Sequence, residues 1–340
     1  MGREPREIAI TGGSGFVGRG ILNCLLKKGF SVRVLARDPQ KINPSRNSHD
    51  IKVVKGSLED KAAVDELVEG VWGVIHLVGI ILEQPRKGVT FESIHEQGTR
   101  QVLEAAQAAG VNRWIQMSAI GARPCMQRAG EDMRGVVVSR YHQTKWAAEQ
   151  LVRESGLRWT IVRPSLIHGL GGEFMEMVKG FVSGVMPPMV PYFGRGLLGL
   201  GGGGKVEPVW VEDVVEVFAR ALDCEASEGE VFELGGGEVL DWPTMYRVCM
   251  DEMVCGRRKP VVAVPMWLGK GMARSVGILE RLPVIGGVME HVLPFNWDQV
   301  VMAGEDNVAR FTERERITRV FDVSPKGFAE ALRGYAGEMG

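Results

Sequence analysis

The stretch TGGSGFVGRGIL, residues 11–22, follows the apolar run IAI at 8–10 and opens a helical pattern. Its glycines can be read two ways. Gly13, Gly15 and Gly18 fit G-x-G-x-x-G, while Gly12, Gly15 and Gly18 fit G-x-x-G-x-x-G. The physics is the same in both. Glycines let the backbone turn tightly and come close to a diphosphate, and the helix that follows presents free N–H groups and the positive end of its dipole. A lone glycine motif says little, but this one sits between a strand and a helix, where the mechanism needs it. Thr11, Gly12, Gly13, Ser14, Gly15, Phe16, Val17 and Gly18 are therefore the candidate cradle for a dinucleotide.

Working outward, the first half of the chain alternates between two periods. Short β-branched runs read as buried strands near residue 8 and at 31–36, 51–54, 71–78, 113–119 and 158–164. Helical patterns lie between them, and Gly29, Gly70, Gly110 and Gly156 follow as C-terminal caps. Strands alternating with helices imply right-handed crossovers and a parallel sheet covered on both faces. The fold class is thus α/β: a Rossmann-type doubly wound parallel sheet with a smaller mixed C-terminal domain. The dinucleotide-binding domain is placed at 1–180, with about 205–236 returning to its sheet, and the smaller substrate or partner domain at 181–340.

The cofactor is read at the end of the second strand, VLARDPQK. NAD-preferring sites put a carboxylate there for the ribose 2′-OH. This chain has Ala36 and then Arg37, a forked donor suited to a 2′-phosphate. NADP(H) is favoured, with NAD(H) as the alternative because Asp38 follows.

The rest of the chain excludes several classes. Its 340 residues suit about two domains, and a hydrophobic share of 45% is ordinary for a soluble core. A net charge of −1 gives no reason to expect nucleic acid or an anionic membrane as overall partner. Five scattered cysteines with no CxxC or histidine cluster fit a reduced, cytoplasmic setting and no metal site. The start, MGREPREIAI, has no apolar signal-peptide core, and the longest near-continuous apolar run, VWGVIHLVGIIL, is too short to cross a bilayer. GLGGGGK at 199–205 fits G-x-x-x-x-G-K, but Val206 stands where a P-loop needs Ser or Thr, so it reads as a loop.

TGGSGFVG, VIHLVG (74–79), RWIQMSAIGA, Tyr141-x-x-x-Lys145, RPSLIHG (163–169) and EPVWVEDVVEVFARAL occur in an order that resembles an extended short-chain dehydrogenase/reductase. GTRQVLEAAQAAGVNRWIQMSAIGA and SRYHQTKWAAEQ narrow the resemblance. They point to the atypical branch that holds the nucleotide-binding accessory subunit of respiratory complex I and its bacterial relatives. The resemblance is strong over roughly 7–240 and weak beyond. It implies Tyr141 as general acid or base, Lys145 on the nicotinamide ribose and Ser118 on the substrate oxygen. It also implies Leu77, Val78 and Gly79 along the dinucleotide, with Pro164 and Ser165 near the nicotinamide.

Elementary chemistry supports the pair. Residues four apart share one helix face. A phenol of pKa near 10 is a poor base at neutral pH, and an adjacent ammonium favours its ionised form. One departure stands out: His95 occupies the position where extended members carry a relay Asn, and it reads either as a proton relay or as a packed helix residue. Members of this branch often keep the cofactor without a clear catalytic cycle. Asp213 is placed to cap the helix after the central loop. The stretch 265–297, rich in Met, Leu and Trp, has three readings: a pocket for an apolar small molecule, a docking surface for a protein or a membrane, or plain core.

Two functions follow. One is an NADP(H)-dependent oxidoreductase or epimerase acting on a carbonyl or alcohol. The other is a protein that holds NADPH as a structural or sensing ligand and works through a partner, in the cytoplasm or peripheral to a membrane.

Overall fold

The computed structural model describes residues 6–42, 50–124, 138–184, 188–254, 258–271 and 297–339. Cys125, Cys255 and most of the 265–297 stretch lie outside these residues.

The chain starts with β1 (Glu7–Thr11), α1 (Phe16–Lys27), β2 (Ser31–Ala36), β3 (Ile51–Lys55), α2 (Lys61–Val68) and β4 (Gly73–His76). It continues with α3 (Gly98–Ala108), β5 (Arg113–Met117), α4 (Arg140–Glu154) and β6 (Arg158–Pro164). After β7 (Ile167–His168), α5 (Glu173–Ser183), β8 (Val190–Gly194), β9 (Lys205–Val206) and β10 (Val209–Trp210) come α6 (Val211–Ala221) and β11 (Glu230–Leu234). β12 (Leu240–Asp241), α7 (Trp242–Met253) and β13 (Val261–Pro265) follow, with helices Trp297–Ala303, Phe311–Phe321 and Phe328–Tyr335 towards the end.

Seven strands form one parallel sheet in the order β11-β6-β5-β4-β1-β2-β3. The expected strands are all present, and β11 extends the sheet beyond β6. Helices cover both faces. Val17, Ile21, Leu22 and Leu25 of α1 join Val214, Val215 and Phe218 of α6 and Ile317 of Phe311–Phe321 on one side. Val64 and Leu67 of α2, Val102 and Leu103 of α3 and Val152 of α4 close the other. Ile8 and Ile10 are fully buried between the layers. Such side chains contribute about 2 kcal/mol each. A third cluster, with Met175, Val178, Met245, Phe328 and Leu332, joins α5, α7 and the last helix. The expected caps hold: Gly29, Gly70, Gly110 and Gly156 all have φ between 67° and 80°.

Two arginines fix this frame. Arg113 is fully buried and donates to the Arg158 carbonyl at 2.7 Å, the Ala221 carbonyl at 2.8 Å and the Ser227 hydroxyl at 2.9 Å. It thereby ties β5 to β6 and to the turn after α6. Arg163 on β6 grips the buried Glu149 of α4 with two bonds of 2.7 Å. That bidentate pair sets α4 in place against the sheet.

One local expectation is corrected and a second is met. Asp213 does not cap α6. The helix starts at Val211, straight out of β10, so Asp213 already lies in its first turn and accepts from the Lys326 amide at 2.9 Å. The GLGGGGK stretch runs into strand β9 and not into a helix, so it lacks the helix N-terminus that a P-loop uses.

Candidate functional site

The glycine turn lies at the carboxyl end of β1. Gly12 has φ of 78°, and a Cβ there would stand 3.2–3.3 Å from the Leu77 and Val78 backbone. The Leu77 amide donates to the Thr11 carbonyl at 3.2 Å. The turn after β1 and the end of β4 are thus in contact, and the structure brings Thr11–Gly18 together with Leu77 and Val78. A Cβ on Gly13 would sit 2.6 Å from Val34, and one on Gly18 would collide with the Gly12 carbonyl. α1 starts from Gly15 in extended conformation (φ −75°, ψ 175°) with no side-chain cap. Its first N–H groups keep their donor capacity for an anion.

Arg37 is exposed just past β2 and forms no ion pair among the described residues. Asp38 spends one carboxylate oxygen on the Gln40 amide, at 3.1 Å, in the turn that follows. The residues present therefore suit a dinucleotide: a tight turn against β4, an uncapped helix N-terminus and a free cation at the next strand.

The other end of the site is built from β5, β6 and α4. The Ser118 amide donates to the Val162 carbonyl at 2.8 Å, and the Ile120 amide to the Pro164 carbonyl at 3.0 Å. Ser118 is therefore held beside Pro164. Its hydroxyl is buried and has no hydrogen-bond partner among the described residues. α4 is capped by Ser139, whose hydroxyl accepts from the His142 amide at 3.2 Å. Asp298 accepts from the Arg140 amide at 2.7 Å.

Lys145 is buried and donates to the Met117 carbonyl at 3.4 Å, next to Ser118. A Cβ on Gly79 would lie 2.7 Å from its Nζ. Burial pulls the Lys145 pKa down to about 8, against the pull of Glu149. The Tyr141 ring meets Phe91, His95 and His142 edge-on, at centroid separations of 5.9, 5.4 and 5.4 Å. Burial pushes its phenol up to about 12. The expected depression by Lys145 is not what this structure shows, because desolvation dominates. Ser165 is already committed: its amide donates to the Leu234 carbonyl at 2.9 Å and its hydroxyl to the Glu207 carbonyl.

His95 sits in a π-helical turn, Glu92–Gln97, ahead of α3. Its Nε2 accepts from the Ile80 amide at 3.0 Å, so Nδ1 carries the proton and donates to Thr144 at 2.9 Å. Both nitrogens are in use, and burial keeps the pKa well below 6.5. Of the two readings from sequence, the structure supports the packed residue: His95 holds the turn after β4 against α4.

His76 went unnoticed in the sequence. It is fully buried, with Thr11 at 2.8 Å and Thr99 at 3.1 Å. Thr99 donates to the His95 carbonyl at 2.6 Å, so it accepts from Nε2–H of His76, and Thr11 donates to Nδ1. A polar residue inside the apolar run VWGVIHLV was the available signal. Asp298 left no such signal, since it lies more than 150 residues from the helix it holds.

These imidazoles predict an acid sensitivity. Burial lowers His76 and His168 to about 3 and His142 to about 4, and it lowers His95 as well. Unfolded histidines titrate near 6.5, so below that pH the unfolded chain binds more protons and stability falls. Each imidazole removes up to about 1.4 kcal/mol per pH unit. The urea midpoint should drop clearly between pH 6.5 and 5, where free carboxylates stay ionised. A flat midpoint over that window would mean these rings are charged in the folded state.

Residues 12–170 match the model of an NAD(P)H-binding family. The chain is 35% identical over 185 residues to the ceramide reductase of Caulobacter vibrioides, which covers 54% of this chain and 53% of that one. It therefore spans about half the length of that relative. It is 25% identical over 325 residues to the mitochondrial NADH-ubiquinone oxidoreductase 40 kDa subunit of Neurospora crassa, covering 94% of this chain and 73% of that one. A short-chain dehydrogenase/reductase superfamily protein of Agrobacterium tumefaciens, solved with bound NAD, has the same fold. Its TM-score is 0.64 at 20% identity, over 98% of this chain and 96% of that chain. Among the described residues, no group of three or more His, Cys, Asp and Glu could hold a metal, and no helix is long and apolar enough to cross a membrane.

Proposed function

We propose, for a chain whose residues 12–170 make an NAD(P)H-binding domain in a short-chain dehydrogenase/reductase-like fold, that it is an NADP(H)-dependent oxidoreductase or epimerase acting on a carbonyl or alcohol. The observation that carries this reading is the buried hydroxyl of Ser118, without a hydrogen-bond partner among the described residues, one residue on from the Met117 carbonyl that the buried Lys145 ammonium bonds. A buried polar group without a partner costs roughly 1–3 kcal/mol. A substrate oxygen would meet it.

In this reading Thr11–Gly18 and the α1 N-terminus hold the diphosphate, Leu77, Val78 and Gly79 line the dinucleotide, and Pro164 and Ser165 flank its nicotinamide. The bound dinucleotide supplies or accepts the hydride. Ser118 bonds the reacting oxygen, and Tyr141 passes a proton to or from it. Lys145 turns its remaining N–H groups towards the ribose hydroxyls. A dinucleotide domain over 1–180 with 205–236, and a substrate or partner domain over 181–340, go with these roles.

NADP(H) is preferred because Arg37 is exposed and forms no ion pair among the described residues, while Asp38 is engaged with its own turn. Arg37→Ala should weaken NADPH binding about tenfold and leave NADH within about twofold. Calorimetric titration of both nucleotides reads this. Wild-type protein that binds NADH as tightly as NADPH overturns the preference. The reaction itself is tested by identifying any copurified nucleotide by mass and following NADPH oxidation against a panel of carbonyl compounds.

A second reading is an NADPH-holding structural or sensing protein. One observation favours it: the chain is 25% identical to the complex I 40 kDa subunit of Neurospora crassa over 94% of its length.

A further inference from the structure

Among the described residues, a group of exposed apolar side chains lies on the segment 195–204 and just after β13. β8 and β13 pair in parallel, and the segment 195–204 folds back over their carboxyl end. The Arg195 amide donates to the Gly202 carbonyl at 2.7 Å, and the Gly201 amide to the Arg195 carbonyl at 2.9 Å. Gly196 and Gly199 take φ of 84° and 74°, and a Cβ on Gly199 would lie 3.1 Å from the Pro265 amide nitrogen. The backbone is thus satisfied internally, and the apolar side chains are turned outward. Leu197, Leu198 and Leu200 are 69–79% exposed. Trp267 and Leu268, in the helical stretch after β13, are also exposed, and the Trp267 indole donates to the Leu197 carbonyl at 2.9 Å.

Folding alone does not explain three leucines held outward on a hydrogen-bonded turn. Exposing them sacrifices burial that polar residues at the same positions would not need. Segments 188–206 and 258–271 contain Arg195, Lys205, Arg258, Lys259 and Lys270 and no Asp or Glu, in a chain whose totals are 41 basic and 42 acidic residues. The two segments are basic in sequence, while Asp306 lies at the root of the turn, where it accepts from the Lys205 amide at 2.9 Å. Arg195, Lys205 and Lys270 flank the apolar tip in sequence. Arg195 reaches Asp306 at 3.5 Å, and Arg258 pairs with Asp251 at the far end of β13.

We propose that this tip docks on an anionic lipid bilayer. The leucines would enter the boundary between headgroups and acyl chains, Trp267 would lie at headgroup level, and the flanking cations would face lipid phosphates. The features favour a bilayer over a protein. The leucines project from a convex turn, where a protein partner would need a matching deep socket. A tryptophan at the rim and two segments that carry five basic and no acidic residues of their own fit a lipid interface. The proposal does not rest on the reading of the dinucleotide site.

The test is cosedimentation of the full chain with vesicles of phosphatidylcholine alone, or of roughly three parts phosphatidylcholine to one part phosphatidylglycerol. Expected is at least about tenfold stronger partition onto the anionic vesicles, weakened by half-molar salt. The triple variant Leu197→Ser, Leu198→Ser, Leu200→Ser should lose at least about tenfold in partition, with unchanged NADPH affinity and unfolding midpoint. Lipids brominated on their acyl chains should quench part of the tryptophan fluorescence, and Trp267→Phe should remove that part. Three results would each overturn the proposal: no partition onto either vesicle, equal partition of the triple variant, or self-association of the wild type in solution that the variant abolishes. The last would make the tip a contact between copies of the chain.

Discussion

Gly15→Asp is expected to abolish dinucleotide binding while leaving the fold intact. The position takes a side chain if the turn gives by a few tenths of an ångström. Its φ is −75°, an ordinary value for any L residue, and the nearest atom to a new Cβ is the Gly12 carbonyl oxygen at 3.2 Å. Gly15 is also the residue that starts α1. Aspartate is a preferred residue there, because its carboxylate accepts the helix's first free N–H groups. That is what would remove function. The donors meant for a diphosphate would be taken, and a negative charge would sit where the phosphates go. A loss of at least about a thousandfold in NADPH affinity is expected, about 4 kcal/mol. The unfolding midpoint should hold or rise. Gly18 would be a poorer test, since any side chain there strikes the Gly12 carbonyl and confounds binding with folding. If Gly15→Asp binds NADPH normally, the glycine turn is not the phosphate site.

The contrast between Gly15 and Asp213 shows what the sequence could reveal. Local rules work where the deciding partner is close in the chain. The apolar strand runs, the glycines that end helices and the strand–turn–helix around Gly15 all act within about ten residues, and all appear in the structure as expected. The order of motifs extended that reach to a family resemblance, and the chain is 25% identical to the complex I 40 kDa subunit of Neurospora crassa over 325 residues. Asp213 failed because its helix begins one turn earlier than a capping pattern suggests, and its partner is the Lys326 amide. His95 could not be decided from sequence, because its role depends on Ile80 and Thr144, one before it and one far after it. The parallel pairing of β8 with β13 joins residues about 70 apart across a stretch of mixed composition, where no periodic pattern signals a partner. The phenol of Tyr141 taught a further lesson. A lysine four residues on suggests a lowered pKa, yet in this structure the cost of burying the ionised form raises it.

Tyr141→Phe decides between the two functional readings. Phenylalanine keeps the ring, and with it the edge contacts to Phe91, His95 and His142, so neither folding nor cofactor affinity should move by more than about twofold. Only the hydroxyl is lost. If Tyr141 supplies the proton to a carbonyl oxygen, kcat for NADPH oxidation should fall by roughly a hundredfold to ten-thousandfold, the usual contribution of one positioned acid or base. KM should change much less, because the hydroxyl acts on the transition state more than on the bound substrate. The raised pKa of the phenol sharpens the expectation. With its pKa near 12, the phenol is protonated across the working range, so the carbonyl-reduction direction, in which Tyr141 gives up a proton, should hold its rate from pH 6 to 8. The reverse direction needs the phenolate and should speed up as the pH rises. If wild type and Tyr141→Phe oxidise NADPH equally slowly with every carbonyl compound while both bind it tightly, the chain is a holder of dinucleotide, and its function lies in what it touches.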